Sequence, residues 1–311
     1  NSRYANRASI ECDGTDDYME ADLADDFSTQ QGTISCWVAS DTRGGAQFVL
    51  IYKENGTTSP VDQIMLINQG ISGTGPSDAV VMNYFCVNDG TTTKMQCAAM
   101  ASSSFFGHGH SRRHANYHSG GSGFTAEDSL FNNATPMASG SWVHYACTWD
   151  TTEVFTPTYA NSTSASITPS EITGAMRIYV NGTLKNHGQS SGTAAVSNGA
   201  TAATGGMTRM LTAPDKIRVG ANRNLGNDLD GHINNLAIFN KRLTDDEINA
   251  IYNSGSPFDL RYAKGTGYTR SSALVGYWTM QEESGTTVYD RSKNNNHFTL
   301  SNNAAFTSDN P

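Results

Sequence analysis

The stretch from Lys216 to Phe239, KIRVGANRNLGNDLDGHINNLAIF, decides the fold class of this 311-residue chain. Apolar and polar residues alternate on both sides of a loop rich in Gly, Asn and Asp, and this period of two is typical of strands. In the second strand the alternation places Ile233, Asn235 and Ala237 on one face. The stretch therefore predicts two strands joined by a polar loop.

A short helix is predicted directly after these strands, over residues 244–253. Thr244 and Glu247 have the spacing of a capping box, in which each side chain bonds the other residue's backbone N–H. An apolar stripe at helical spacing follows, and Gly255 supplies a stop signal. A strand, loop, strand and capped helix in this order indicate the end of a β-sandwich domain.

Three earlier segments extend this pattern. Ala8–Val38 contains a D-G-T-D-D-Y turn followed by an apolar strand, and Trp142–Asp150 and Met176–Leu184 have strand alternation. Taken in order with residues 217–255, they resemble the laminin-G-like, concanavalin A-like jelly rolls. The resemblance implies an all-β fold, a sandwich of two antiparallel sheets with one short helix.

The end of the chain departs from that family's order. Ala273–Leu300 resembles the strand and loop that usually open such a domain, yet here it comes last. About 40 residues bury too little apolar surface to fold alone. We therefore predict a laminin-G-like domain over residues 1–260 and an extension, 261–311, that returns to the same sandwich as a circularly permuted strand. The alternative is the truncated start of a second repeat.

Alternation within this last strand predicts how it docks. Val275 and Tyr277 fall on one face, and Trp278 and Met280 fall on the other. Both faces carry large apolar residues, so we expect both to be covered.

Three polar insertions interrupt the predicted strands, at residues 101–140, 151–173 and 186–213. They are rich in Ser, Thr, Gly, Ala and Asn, and long loops of this kind usually carry recognition or subunit contacts. Asn181-Gly182 is the clearest two-residue hairpin signal in the chain.

The composition excludes some partners. There are 20 basic and 29 acidic residues, giving a net charge of −9, so nucleic acid is not an expected partner. No apolar run reaches the length of a membrane span.

The five cysteines lack the spacing of a metal site. We predict free, buried thiols, which suits a reducing compartment. Only Cys86 and Cys97 are close in sequence. A two-residue turn between them would keep the two apart, and a four-residue loop would set them opposite each other.

Four of the eight histidines fall in one short segment, at His108, His110, His114 and His118. On a helix the last three would share a face and could hold a transition metal. The surrounding Gly and Ser argue against a helix, so a solvated loop or a subunit contact is the competing interpretation.

Calcium is the second metal to consider, because the resemblance implies a structural ion near the first turn or a rim loop. Hard oxygen ligands are available in two segments, with Asp13 and Asp230 the best candidates among Asp13, Asp16, Asp17, Asn224, Asn227, Asp228 and Asp230. The family has acidic residues where this chain has Asn234 and Asn235. Asp and Asn are also ordinary turn residues. We therefore predict that no cofactor is required, and calcium is the candidate ion.

Catalysis has little support in the sequence. Glycosidases on jelly rolls need a close carboxylate pair on one strand, and no such pattern occurs; nor does a nucleophile elbow. We predict that the chain is not an enzyme. Carbohydrate binding stays open, with Tyr117, Phe124 and Tyr159 as candidate stacking residues in the insertions. The alternative is that these aromatics anchor their loops.

The order of motifs near the end of the chain resembles that of laminin-G-like proteins of marine tailed bacteriophages. Here IYNSGSPFDL is followed by a spacer and then by LVGYWTM…DRSKNNNH. The resemblance implies a virion surface protein, in capsid decoration or in a fibre or spike, that is assembled in the host cytoplasm. We expect it to act by contacts with other virion subunits or with its own copies, as a homo-oligomer. Cell-surface glycan is a further candidate partner. The alternative is a soluble or secreted, calcium-aided carbohydrate-binding module.

Overall fold

The computed structural model describes residues 6–23, 27, 31–40, 46–52, 62–72, 79–89, 93–100, 141–150, 176–190, 215–222, 224–226, 228–263, 265 and 267–311. These residues form strands β1 (Ser9–Asp13), β2 (Tyr18–Asp22), β3 (Gln31–Ser40), β4 (Ala46–Tyr52), β5 (Asp62–Ser72), β6 (Ala79–Asp89), β7 (Thr93–Met100), β8 (Val143–Asp150), β9 (Met176–Val180), β10 (Thr183–Ser190), β11 (Lys216–Val219), β12 (Asp230–Phe239), β13 (Leu274–Trp278), β14 (Thr287–Val288), β15 (Phe298–Ser301) and β16 (Ala305–Thr307). Helix α1 (Asp245–Tyr252) follows β12, and 3-10 turns follow at Asn253–Gly255 and Ser271–Ala273.

The strands form two antiparallel sheets. The first has the order β10, β9, β8, β3, β12, β1, β16, and β13 also pairs with β12. The second has the order β14, β15, β2, β11, β4, β5, β6, β7, and the end of β10 pairs with β7. Among the described residues, the predicted all-β jelly-roll sandwich with one short helix is confirmed.

Apolar side chains from both sheets fill the space between them. Ile10, Ile34 and Trp149 from the first sheet pack in one cluster with Ile217 and Phe298 from the second. All five are fully buried, and removal of apolar surface from water drives this packing at about 25 cal/mol per Å². The two sheets therefore share one core.

Strand β12 lies in the interior of the first sheet and has partners along both edges. One edge pairs with β3 along most of its length. The other edge pairs with β1 over residues 230–233 and then with β13 over residues 236–239. Two strands from opposite ends of the sequence therefore lie end to end along a single edge.

The junction between these two strands is bonded directly. Gln281 donates from Nε2 to the carbonyl of Ala8 at 2.9 Å and to Asn6 at 3.0 Å. Asn234 also donates to the Ala8 carbonyl, and Asn6 donates to the carbonyl of Pro311 at 3.1 Å. The first strand of the C-terminal segment thus meets the first strand of the sandwich end to end.

The predicted facing of β12 is wrong after Ile233. Asn235 has a φ of 54°, and the pairing with β3 shifts register between Asn234 and Ala237. Such a bulge inserts one extra residue and changes which side chains face inward. Leu236 therefore joins Ile233 in the core, while Ala237 packs on the outer face of the sheet. Asn tolerates the left-handed conformation that the bulge requires.

A second bulge changes the predicted facing of β13. The pairing shifts between Ile238 and Phe239, and Val275 lies in the core with Trp278, whereas Tyr277 packs on the outer face. Val275 and Tyr277 therefore do not share a face. Both faces of the strand are nevertheless buried.

Helix α1 covers part of the outer face of the first sheet. Thr244 and Glu247 form the predicted capping box. The helix ends at Tyr252, with Asn253 as a left-handed cap, so the stop comes before the predicted Gly255, which closes the 3-10 turn. Ile248 packs with the outer cluster beneath the helix. Within the described ranges, no helix has the length and apolar character to cross a membrane.

The hairpin predicted at Asn181-Gly182 is confirmed. The two residues have φ angles of 49° and 73°, as the favoured hairpin turn requires, and Thr183 pairs with Val180. Strand β10 continues to Ser190, so the first residues of the predicted insertion 186–213 are strand. Residues 101–140, 151–173 and 191–213 lie outside the described residues.

The cysteines follow the buried-thiol prediction where the structure describes them. Cys12, Cys36 and Cys147 are buried thiols that are not joined in disulfides, and burial raises the pKa of the first two. The β6–β7 register sets Cys86 opposite Gln96 and Cys97 opposite Phe85, so neither of the two registers considered from sequence is adopted. The side chains of these last two cysteines lie outside the described part.

Asp290 anchors the C-terminal segment to β13. Its carboxylate, in a residue that is 6% exposed, accepts from the backbone N–H of Tyr277 at 2.9 Å, of Ser292 at 2.8 Å and of Asn296 at 3.0 Å. The Ser292 hydroxyl donates to it at 2.8 Å. Hydrogen bonds to an ionised group are the stronger kind. One side chain therefore holds a strand and the following loop together.

We predict that Asp290→Ala lowers the free energy of unfolding by about 3 kcal/mol or more, because it leaves several buried N–H donors without an acceptor. The measurement is urea unfolding. Asp22→Ala is the matched control: this side chain is 84% exposed and pairs with Lys216, so its loss should cost less than about 1 kcal/mol. Equal losses in the two variants would contradict the anchoring role.

Candidate functional site

Three aspartates come together in the turn between β1 and β2. Carboxylate oxygens of Asp13, Asp16 and Asp17 lie within 4.8 Å of one another. Gly14 has a φ of 78°, which a residue with a Cβ adopts only with strain, and this reversal brings the carboxylates to one side. Asp13 and Asp16 are exposed, whereas Asp17 is buried. We call Asp13, Asp16, Asp17 and the adjacent Asp228 the aspartate cluster.

Asp17 fixes the shape of this turn. Its Oδ2 accepts from the backbone N–H of Asp13 at 2.9 Å, and its Oδ1 accepts from the backbone N–H of Asn303 at 2.7 Å. The Asn302 side chain donates to the carbonyl of Asp16 at 2.6 Å. The first turn of the sandwich is thus tied to the loop between β15 and β16.

Asp228 completes the cluster electrostatically. Burial raises the pKa of its carboxyl, and the negative charges of Asp16, Asp17 and Asp13 raise it further. Its Oδ1 is covered and accepts no hydrogen bond from any other described residue. A bound cation reverses this electrostatic logic, and carboxylate oxygens are the ligands that calcium prefers. The residues present fit a calcium ion.

Of the two predicted calcium ligands, Asp13 lies within the cluster. Asp230 faces Asp13 across the β1–β12 pairing, close to Gly14, where a Cβ would lie 2.8 Å from that of Asp230. The oxygens grouped within 4.8 Å are those of Asp13, Asp16 and Asp17. Asn227 lies outside the described residues, as do the candidate metal ligands His108, His110, His114 and His118 and the candidate stacking residues Tyr117, Phe124 and Tyr159.

A cleft of about 430 Å³ opens where β12 leads into α1. We call it the α1 cleft, and it is lined by Arg177, Arg242, Leu243, Thr244, Asp245 and Asp246. Of these residues the sequence pattern identified only Thr244, as a helix cap, and none as a binding residue. The available signal was the charged run around the capping box, but nothing in the sequence shows that Arg177, from β9, joins it.

The α1 cleft has a fixed polar wall. Arg177 donates from Nη1 to Asp245 Oδ1 at 2.7 Å, and the Tyr179 hydroxyl donates to the same oxygen at 2.7 Å. Burial and then the bond to Asp245 raise the pKa of Tyr179. Burial alone would lower the pKa of Arg177, but the contacts with Tyr179 and Asp245 outweigh it and the pKa is raised. Arg177 and Tyr179 therefore keep their protons and remain hydrogen-bond donors at neutral pH.

A buried Ser–His pair lies on the outer face of the first sheet. Ser35 Oγ and His144 Nε2 are 2.9 Å apart, but the two residues are 2% and 1% exposed, so a substrate has no access to them. His144 Nδ1 has no partner within the described part of the chain, whereas a catalytic imidazole is oriented by a third group at that position. Trp37 and Tyr252 pack around the ring. The Ser35–His144 pair therefore has the surroundings of a buried packing contact.

Comparison by sequence finds no matching family model and no matching curated protein. Solved structures do match. The chain is similar to a candidate carbohydrate-binding protein of Bacteroides ovatus, with a TM-score of 0.50 and 11% identity over 97% of this chain and 60% of that one. The chain thus spans about 60% of the length of that protein.

Two other solved structures are also similar to this chain. A heptameric SAP-like pentraxin of Limulus polyphemus has a TM-score of 0.48 and 10% identity over 95% of this chain and 94% of that one. Domains LG4-5 of the mouse laminin alpha1 chain have a TM-score of 0.39 and 9% identity over 78% and 44%. Similarity at these identities concerns the fold alone.

We predict that the buried imidazole makes the fold sensitive to acid. Burial lowers the pKa of His144 from 6.5 to about 3. The unfolded chain therefore binds this proton at a higher pH than the folded chain, and the free energy of unfolding decreases as the pH falls from 6.5 towards about 3. His144→Gln should remove this part of the pH dependence, as measured by urea unfolding across that range. His232→Gln, which leaves His144 intact, is the control. An unchanged slope in His144→Gln would show that His144 does not cause it.

Proposed function

We propose that this chain is a non-enzymatic adhesion module that binds carbohydrate and is displayed on the surface of a bacteriophage virion, as capsid decoration or as part of a fibre or spike. The observation that carries the carbohydrate part is the α1 cleft. The virion part is supported by the motif order, in which a strand resembling the one that opens related domains follows the helix as β13 and pairs with β12.

The lining of the α1 cleft matches the chemistry of a sugar. Each hydroxyl group donates one hydrogen bond and accepts others, and the cleft offers guanidinium donors and carboxylate acceptors side by side. Two arginines and two aspartates give the lining no net charge, which favours a neutral ligand over an anion. A volume of about 430 Å³ falls within the usual range for small-ligand sites. The similarity to the candidate carbohydrate-binding protein of Bacteroides ovatus agrees with this proposal.

Binding without catalysis is supported by the same geometry. The Ser35–His144 pair is closed to substrate. The α1 cleft has carboxylates, but Asp245 Oδ1 already accepts hydrogen bonds from Arg177 and Tyr179, and Asp245 and Asp246 are consecutive residues at the start of a helix rather than a close carboxylate pair on one strand. A glycan held in this cleft should therefore be released unchanged.

We predict that the protein binds neutral glycans on an array, and that Asp246→Ala and Arg242→Ala each weaken binding by about tenfold, the typical effect of losing one well-placed polar contact. Asp22→Ala, an exposed acidic residue on the second sheet, is the control and should bind normally. Binding that is unaffected by both cleft variants would move the site elsewhere. A wild-type protein that binds no glycan would overturn the proposed carbohydrate function.

The virion part needs separate measurements. Mass spectrometry of purified phage particles that encode this chain should find it in the particle. Virion proteins occur in symmetric copies, so sedimentation at high concentration should show a homo-oligomer. A chain that is found only in the soluble fraction, with sugar binding intact, would favour the soluble or secreted module.

We also propose that the aspartate cluster binds calcium and stiffens the turn between β1 and β2. A ligand at 100 times its dissociation constant stabilises the fold by about 2.7 kcal/mol. Calcium should therefore raise the melting temperature of the wild type above its value in chelator, and Asp228→Asn should reduce the difference. Because the folded state disfavours the charge of Asp228, the metal-free variant should be no less stable than the metal-free wild type. A chelator that leaves the wild-type melting temperature unchanged would exclude a stabilising calcium ion.

A further inference from the structure

A second feature of the described surface suits sugar binding. Leu225, Tyr262 and Tyr289 are the exposed large apolar residues among those described, and Tyr289 is 46% exposed. It follows β14, the edge strand of the second sheet, at the point where Trp278 and Asp290 bridge the two sheets. The ring therefore lies at the rim of the sandwich and far along the chain from the predicted stacking residues.

Two side chains hold the Tyr289 ring in place. The His297 ring packs edge-on, with ring centroids 5.2 Å apart and an angle of 77° between the ring planes. The Arg291 guanidinium carbon lies 5.6 Å from the Tyr289 centroid, within the range of a cation–π contact. An aromatic ring that is already ordered loses little entropy when a ligand stacks on it.

Glu282 fixes Arg291 and the backbone of Tyr289 together. Its Oε1 accepts from Arg291 Nη2 at 2.8 Å and from the Tyr289 N–H at 3.3 Å. The Glu282 side chain is 7% exposed, and its Oε2 has no hydrogen-bond partner among the described residues. A covered carboxylate oxygen without a donor lowers the stability of the fold. Oε2 is therefore an acceptor that a ligand hydroxyl could satisfy.

The backbone around Glu282 explains how a charged group becomes covered here. Met280 and Glu283 have φ angles of 55° and 63°, and the Met280 side chain is fully buried. The chain therefore turns sharply on a buried anchor. Tyr289 and Arg291 flank Asp290, which holds the next segment to β13.

We propose that Tyr289, Arg291 and Glu282 form a second carbohydrate subsite, which we call the Tyr289 platform, for a neutral pyranose. This inference rests on the proposed carbohydrate function. The apolar C–H face of the sugar stacks on the exposed face of the tyrosine ring, and a sugar hydroxyl accepts from Arg291. A neutral sugar fits better than an acidic one, because the charge of Arg291 is already balanced by Glu282.

Glu282 Oε2, which lacks a donor among the described residues, would orient the sugar in this subsite. Arg291 is 39% exposed in its side chain, so a hydroxyl entering beside it can reach Oε2 after a small side-chain movement. That hydroxyl supplies the donor that Oε2 lacks. Glu282 otherwise acts as a positioning residue through Arg291 and the Tyr289 backbone.

Tyr262 provides a matched comparison within the same chain. It is 65% exposed, and the Arg261 guanidinium lies 5.7 Å from its ring. Asp259, however, uses both carboxylate oxygens to hold Arg261, at 2.9 Å and 2.6 Å. This second tyrosine therefore has the aromatic ring and the arginine but lacks a covered carboxylate oxygen without a donor.

The test is titration calorimetry of the full chain with lactose, cellobiose and N-acetyllactosamine. Tyr289→Ala should weaken binding of the preferred disaccharide by about tenfold or more, which is the loss expected for one stacked ring. Tyr289→Phe should retain most of the affinity because the ring remains. Glu282→Gln should give a smaller loss, since glutamine still accepts from the Tyr289 N–H but no longer holds Arg291 by charge. Tyr262→Ala should match the wild type.

The outcomes separate this subsite from the function on which it rests. If Tyr289→Ala binds like the wild type, the Tyr289 platform is excluded while the α1 cleft stands. If Tyr289→Ala and Tyr262→Ala weaken binding equally, the platform has no special role. If the wild type binds none of the three disaccharides and no array glycan, the carbohydrate function itself falls. Melting temperatures of all variants identify any loss that is due to unfolding.

Discussion

The pairing along one edge of β12 is the constraint on which the rest of the structure depends. β1 occupies the first half of that edge and β13 the second half, so both ends of the chain are needed to complete one strand's hydrogen bonds. Unpaired backbone groups in a buried strand are costly. The bulge at Asn235 and the bonds from Asn234 and Gln281 to the Ala8 carbonyl hold the two strands end to end.

The three candidate binding features lie around this arrangement. The aspartate cluster forms where β1 turns into β2, and the loop before β16 closes it through Asn303. The α1 cleft lies beyond the far end of β12. The Tyr289 platform forms after β13, where Asp290 ties the C-terminal segment to the sheet. A change that detached β13 would therefore be expected to disturb the last of these directly and the first through β16.

Much of the fold could be predicted from local pattern. The helix with its Thr244–Glu247 capping box and the Asn181-Gly182 hairpin depend on neighbours within a few residues, and both are present. Local pattern could not predict which face of the sheet carries the side chains after Asn235 or the side chain of Val275, because a bulge depends on the register of the partner strand. Of the candidate calcium ligands, proximity in sequence identified Asp13, Asp16 and Asp17, while the coupling to Asp228 needed the folded turn.

The sequence alone determined that this protein is a β-sandwich with one capped helix, since alternation, turn residues and caps are written into short segments. Only the tertiary structure decided where groups from distant segments meet. Arg177 reaches Asp245 across 68 positions, and Gln281 reaches Ala8 across 273. Such contacts are selected by the packing of whole sheets, because each side chain could bond many partners and the fold leaves it only one neighbourhood.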